Sequence, residues 1–499
     1  MTQKPQTLGD LSRSDHAPLS VRDEVRRNLQ RKLRAGERLF PGVVGYDDSV
    51  IPQVVNALLA RHDLILLGLR GQAKTRISRQ LVDLLDPEVP VVPGCPLRSH
   101  PLAPLGRYAE RRVAEEGNAM PIEWLPREAR YGEKLATPDV TMADLIGDLD
   151  PLKAAHRKLD LSDDEAVSFG IVPRSNRGIF NLNEIPDLAP RIQVGLLNLL
   201  EERDVQIRGF PIRIPLDVLM VFTANPEDYT NRGSIITPLK DRIASQILTH
   251  YPRTVAEARQ ITEAEAWLER GPAATPVSLP DFLAQVVEEI AFQGRASEYV
   301  DQTSGISARL SIAARELLAS QVEQRVLRVP GTRPVARLVD LGQLVPAVTG
   351  KIELVYEGEQ EGTTKVARHL IASACRAAFD RAFPDAMSDD PKPPAKSLAR
   401  PPQKTGEVYK PILDWFAAGN RLEISDRSPD EAYLNTLEMV PGLAELGREF
   451  CPQDFEQAPG AVMELILEGL HQHSLLAKED VATGTSYSDM LGIMLEGLR

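Results

Sequence analysis

The chain has 499 residues, 42% of them hydrophobic, and its 58 Lys and Arg are outweighed by 71 Asp and Glu, giving a net charge of −13. That length points to about two to four domains, and the acidic balance argues against broad nucleic-acid binding. The three cysteines, Cys95, Cys375 and Cys451, lie too far apart for a disulfide framework or a zinc site, no apolar run approaches membrane-spanning length, and the N-terminus is charged and polar, so a soluble cytoplasmic protein is expected.

In chain order, residues 1–38 begin loosely and then read as a helix over Val21–Leu33 with mixed charge. Residues 39–252 alternate strand and helix signals, which predicts a parallel α/β sheet with helices on both faces. Strands are expected near Leu64–Leu67, Val89–Val92, Ile179–Leu182, Leu219–Thr223 and Gln246–Thr249.

The apolar run Leu64–Leu67 leads into Gly68-Leu-Arg-Gly-Gln-Ala-Lys-Thr75, a phosphate-binding loop pattern in which Ala73 stands where a second glycine is usual. Backbone N–H groups of such a turn wrap a phosphate, and the helix that follows presents its positive end. Gly68 and Gly71 supply backbone freedom, Gln72 and Ala73 complete the turn, and Arg76 follows it. Lys74 is placed to reach the outer phosphates of ATP, and the Thr75 hydroxyl to reach Mg2+.

Between Thr137 and Arg177, Asp139-Val140-Thr141 and Leu145-Ile146-Gly147-Asp148 lead to a helical Pro151–Leu159. Next comes the β-rich run Gly178–Asn183, closed by Glu184. An acid at the end of such a strand normally supports magnesium and the next carboxylate polarises water. Here Asn183 replaces the first acid, and Glu184 keeps the second position.

A helix over Gln193–Glu202 precedes Val205–Ile214, whose alternation around Arg208-Gly209-Phe210-Pro211 predicts a hairpin. The buried-strand run Val218–Ala224 ends at Asn225, placed to orient a lytic water. Arg242, after a short helix, suits an arginine finger, and Arg309 begins a helix in the following region.

Together these segments resemble the AAA+ ATPases, in the branch of the MoxR proteins and the magnesium chelatase I subunit. The resemblance covers roughly residues 38–380 and rests on Phe40–Gly45, Gly68–Thr75, Gly178–Leu188, Phe222–Tyr229, Ile236–Ile243 and Ile306–Ser311. It implies an AAA+ parallel sheet flanked by helices, then a helical lid over 253–384. The hairpin and the 137–177 stretch would be the branch's two insertions. By resemblance Lys74 and Thr75 hold nucleotide and magnesium, Asn183 and Glu184 form the second motif, Asn225 is the first sensor, Arg242 the finger and Arg309 the second sensor. It further implies a ring, a hexamer, that works on a protein carrying a von Willebrand A domain. Alternatives are a chelatase-type motor inserting metal into a porphyrin and a sigma-54-interacting activator. The latter needs a GAFTGA-type loop, which the sequence lacks.

In 253–384, Leu310, Ala314, Leu317, Ala319 and Val322 fall near helical spacing, as do Val366, Leu370, Ala374 and Ala377, and both stripes read as core. Residues 385–405 are Pro-rich and read as an extended linker. Residues 406–499 read as a helical docking or regulatory region, amphipathic over Ala461–His473 and without a catalytic signature.

Overall fold

In the computed structural model, residues 4–157, 163–207, 212–225, 234–271, 276–387, 405–481 and 484–490 are described. The chain divides into two compact units, Met1–His250 and Tyr251–Arg499. Among the described residues no helix is long and apolar enough to cross a membrane.

The first unit is built on five parallel strands: β1 (Leu64–Leu67), β2 (Tyr131–Leu135), β3 (Gly178–Asn183), β4 (Val218–Ala224) and β5 (Ser245–Leu248). They lie in the order β5-β1-β4-β3-β2. Every residue of β1, β3 and β4 is buried, as expected for central strands covered on both faces. Alternation assigns the faces. Leu64, Leu66, Ile179, Leu219, Val221 and Ile247 pack with α1 (Val21–Arg34), α2 (Val50–Leu59) and α3 (Lys74–Gln80). Ile65, Leu67, Phe180, Leu182, Met220 and Phe222 face the opposite way, toward Leu145, Ile192, Leu196 and Leu239.

One strand assignment is corrected. The apolar segment near Val89–Val92 does form a strand, Glu88–Val91, but it pairs antiparallel with Glu123–Pro126 in a separate ribbon. The remaining strand of the central sheet is β2, which is not among the expected strands. As an edge strand it leaves Tyr131–Leu135 partly exposed, so it needs no apolar run.

The N-terminal helix is integral to this unit. Its Glu24 carboxylate accepts two bonds from the buried Arg130 guanidinium, at 2.6 and 2.7 Å. The expected hairpin forms from Asp204–Gln206 and Arg213–Pro215, with its tip at 208–211 outside the described residues. In the 137–177 stretch, Gly147–Leu149 pairs antiparallel with Val167–Phe169 beside the helix Pro151–Arg157; Lys158 and Leu159, the expected helix end, lie outside the described residues.

The second unit is one hydrophobic core shared by 253–384 and the C-terminal region. It contains α4 (Asp281–Ala296), α5 (Arg309–Arg328), α6 (Thr363–Ala382) and α7 (Pro459–Gln472). In α5 it is Leu318, rather than the expected Leu317, that is buried with Leu310, Ala314 and Val322. The Pro-rich segment lies outside the described residues from 388 to 404. Beyond it the C-terminal region packs directly on the lid: the Tyr409 hydroxyl donates to Pro384 O at 2.7 Å, and a side chain at Gly469 would strike the Phe379 ring at 2.2 Å.

Two readings of the C-terminal region change. Besides helices it carries a three-stranded antiparallel sheet from Leu422–Ser425, Ala477–Val481 and Gly484–Ser488. Segment 461–473 is not amphipathic in its setting; α7 is buried at every residue from Gly460 to Leu470, Glu464 and Glu468 included. Glu468 accepts from Lys478 at 2.8 Å and from the Tyr487 hydroxyl at 2.9 Å. Glu464 accepts the Val339 N–H at 3.1 Å, and burial pushes its carboxyl up to about 7.

This buried acid sets a pH dependence. Glu464 is protonated in the fold at pH values where the unfolded chain has already ionised it, so its contribution is most favourable below 4.5 and declines as pH rises toward about 7. Glu464→Gln keeps the shape without the charge. Urea unfolding is expected to find the variant more stable than the wild type near pH 8, with the advantage vanishing near pH 4.5.

Candidate functional site

Parallel pairing brings the carboxyl ends of β1, β3 and β4 to one edge of the sheet, where loops of open α/β sheets bind ligands. β1 runs into Gly68, whose N–H donates to Ala224 O at 3.1 Å. A side chain at Gly68 would lie 1.9 Å from Thr249 Oγ1 and 2.1 Å from Gln72 Oε1, so the turn requires glycine there. Gln72 is fixed from two sides: its carboxamide oxygen accepts from the Thr249 hydroxyl at 2.7 Å, and its carbonyl from the Tyr46 hydroxyl at 3.0 Å.

Gly71 and Ala73 both have left-handed backbones, with φ of +73° and +57°. Ala73 therefore adopts the conformation of the glycine it replaces, at a steric cost of about 1–2 kcal/mol. Lys74 and Thr75 open α3, and Arg76 is exposed on it. The Lys74 ammonium is buried within the loop. It donates to Leu69 O at 3.0 Å, to Gly68 O, and to Asn225 Oδ1 at 2.7 Å. The loop and the polar end of β4, separated by about 150 residues of sequence, thus meet at one cation.

Asn183 ends β3 inside a closed polar network. Its Oδ1 accepts from the Thr223 hydroxyl at 3.1 Å and from Asn181 Nδ2 at 3.0 Å. Its Nδ2 donates to Glu133 Oε1 at 2.7 Å. Arg79, one turn beyond Thr75 on α3, donates to both Glu133 oxygens, at 2.8 and 3.1 Å. Glu184 is half-buried and also left-handed (φ +54°), with its N–H on the Thr223 hydroxyl at 3.2 Å.

Mg2+ favours oxygen ligands and retains several waters. The Thr75 hydroxyl and the Glu184 carboxylate are oxygen donors of that kind at this edge of the sheet, whereas the Asn183 amide is spent on Thr223, Asn181 and Glu133.

Arg242 closes the short helix Thr237–Arg242. Its Nε donates to Glu201 Oε2 at 2.7 Å and one terminal nitrogen to Pro238 O at 3.0 Å, neither partner being in the loop. Arg309 is exposed at the first turn of α5 in the second unit. The sequence reading missed Glu133, Asn181, Thr223 and Thr249 as parts of the network. Thr223 and Asn181 lie within the runs already singled out, whereas Glu133 sits on an edge strand with no motif around it.

A family profile described as the Sigma-54 interaction domain matches residues 162–247, the stretch that holds β3, β4, β5, Glu184, Asn225 and Arg242. No curated protein matches the chain. Among solved structures, NtrX from Brucella abortus in complex with ATP is 12% identical, with a TM-score of 0.39 over 70% of this chain and 66% of that one. The BchI–BchD complex of magnesium chelatase gives 19% and 0.33, over 68% and 94%. Hsp104 with ATPγS and casein gives 12% and 0.36, over 63% and 50%. This chain thus spans half of the Hsp104 chain and just under two thirds of NtrX.

The strained turn gives a test of the loop. Ala73→Gly removes left-handed strain of about 1–2 kcal/mol against an unfolded-state entropy gain that destabilises the fold by about 0.4–1 kcal/mol. Urea denaturation should show stability unchanged or raised. Ala73→Val, with a β-branched side chain at the same φ, should lower it; a tolerated valine would mean that the turn relaxes out of the left-handed region.

Proposed function

We propose that the chain is a magnesium-dependent AAA+ ATPase of the MoxR type that uses ATP hydrolysis to remodel a protein partner. The observation that carries the nucleotide part is the meeting of Lys74 with Asn225 at 2.7 Å inside a glycine-constrained turn.

In this reading Lys74 leaves Asn225 and the loop carbonyls for the β- and γ-phosphates, while loop N–H groups between Gly68 and Ala73 surround the phosphate oxygens. Thr75 holds the magnesium shell; bound magnesium would neutralise charge on the phosphate oxygens. Asn225, released by Lys74, orients the attacking water, and Glu184 accepts its proton. Arg242, exchanging Glu201 for the next subunit's phosphate, acts as the finger, and Arg309 as the second sensor. Hydrolysis then requires a ring, taken as a hexamer.

The remodelling part rests on the resemblance and on architecture. The described residues of the second unit share a continuous core, and in this reading the motor's motion is passed to something bound. A von Willebrand A domain partner follows from the resemblance, since MoxR proteins and the chelatase motor both work with one. The match to the Sigma-54 interaction domain favours transcriptional activation as a second reading. Against it stands the lack of a GAFTGA-type sequence in the chain.

Lys74→Ala is expected to abolish binding of a fluorescent ATP analogue, and Glu184→Gln to bind it without releasing phosphate. Wild-type nucleotide affinity in Lys74→Ala would refute the loop assignment.

Mixing two inactive variants, Arg242→Ala and Glu184→Gln, should restore part of the ATPase rate, because some interfaces then carry an intact finger and an intact base; fingers of this kind contribute about 10³-fold or more. A fully active monomer at high dilution would contradict the ring. Pull-down with the Glu184→Gln form separates the readings: a von Willebrand A protein supports remodelling, porphyrin-pathway proteins a chelatase, and sigma-54 with promoter DNA an activator.

A further inference from the structure

The second unit holds a cavity of about 670 Å3 that the nucleotide reading does not use. It is bounded by the turn Leu338–Leu344, α6, α7 and the C-terminal sheet. Its volume falls in the range of small-molecule sites. Leu341, Val345, Ile371, Ala372 and Cys375 give it an apolar wall.

The charges on the lining are unevenly matched. Each Lys and Arg there has a carboxylate: Lys365 is bonded to Glu361, Arg368 to Asp480 at 3.0 Å, and Lys478 to Glu468 at 2.8 Å. Two acids are left short of donors among the described residues. Glu464 is only 2% exposed, and its one hydrogen bond runs from the Val339 N–H to Oε2. The Tyr433 hydroxyl acts on this carboxyl from the other side but has no partner at hydrogen-bond distance. Asp426 Oδ1 is buried without a hydrogen bond, with Arg427 Nε 3.9 Å away. Buried acceptors are nearly always met by a donor, and a charged donor meets a carboxylate best.

We propose that this cavity binds a small organic amine, whose ammonium group donates to Glu464, with Asp426 accepting from a second donor and the hydrocarbon part lying along the apolar wall. The site lies within the second unit and does not depend on the ATPase reading.

The chemistry separates this ligand from its rivals. An anion would face Glu464, Glu468 and Asp426, while the lysines and arginines of the lining are already engaged. A bare metal ion needs several ligands converging on one point, and no group of three or more His, Cys, Asp or Glu among the described residues could hold one. An aliphatic amine uses both the unmet acid and the apolar wall. Its binding is also linked to a proton. Burial and Asp340 raise the Glu464 carboxyl to about 7, against the pull of Tyr433, the Val339 N–H and Arg337. Glu468, Lys478 and His471 are further charged or titratable groups on the same cavity. An ammonium group beside Glu464 favours its carboxylate, so the proton leaves for solvent. At pH 7 that release amounts to about half a proton per ligand.

The test titrates the full-length chain, free of nucleotide, with spermidine in a calorimeter at pH 7. Parallel runs in phosphate and in HEPES, which differ in heat of ionisation, read the proton release. One saturable site with net proton release is expected. Glu464→Gln should weaken binding by about tenfold or more, the usual loss of a hydrogen bond to a charged group, and should abolish the proton release. Ala372→Phe fills the cavity from α6 without altering any charge and should weaken binding as well; if Glu464→Gln fails to fold, this variant carries the test. Glutarate, an aliphatic dianion, should not bind. Absence of spermidine binding, equal binding in Glu464→Gln or in Ala372→Phe, or binding of glutarate instead would each overturn the proposal.

Discussion

The site depends on the parallel pairing of β1 with β4. Their ladder sets Leu64 beside Val221 and Leu67 beside Ala224, so the two strands end level. Only then does the Gly68 N–H meet Ala224 O and the Lys74 ammonium meet Asn225. The same register fixes the faces of the sheet. Leu64 and Val221 belong to one buried layer, Ile65 and Phe222 to the other. A slip of one residue would send each apolar set to the wrong layer, so burial on both faces and the geometry of the loop enforce one another.

Against that rigid frame the two departures from the usual ATPase pattern have different physical consequences. Ala73 keeps the backbone shape and carries the cost locally, in a left-handed φ that surrounding bonds hold in place. Asn183 keeps the shape and changes the charge. The structure answers with neighbours: Thr223 and Asn181 saturate the amide oxygen, and Glu133 takes the amide nitrogen. The first substitution is a matter of sterics and the second of electrostatics, and only the second draws in a residue from another strand.

The second unit shows how buried charge accompanies a long central helix. α7 is enclosed over three turns, and its two acids are handled differently. Glu468 is neutralised by Lys478 and bonded by Tyr487, whereas Glu464 has a backbone N–H and a carboxyl raised to about 7. Because α4, α5, α6 and α7 share one core, the C-terminal region is packed into the second unit rather than hung from it as a free appendage.

The sequence by itself determined the central strands β1, β3 and β4, because strands buried on both faces must be continuously apolar, and each ends in a recognisable polar group. It likewise marked the loop, the hairpin and the helical stripes, whose signals are local spacings. Tertiary structure alone decided what depends on distant partners. β2 reads as polar because an edge strand has one open side, and Val89–Val92 reads as core although it pairs elsewhere. α7 looks amphipathic until the C-terminal sheet and the lid enclose its polar face. Glu133 gains its meaning from Asn183, fifty positions away along the chain and 2.7 Å away in the fold. Local sequence encodes which groups are present; only strand pairing sets which charge stands beside which amide.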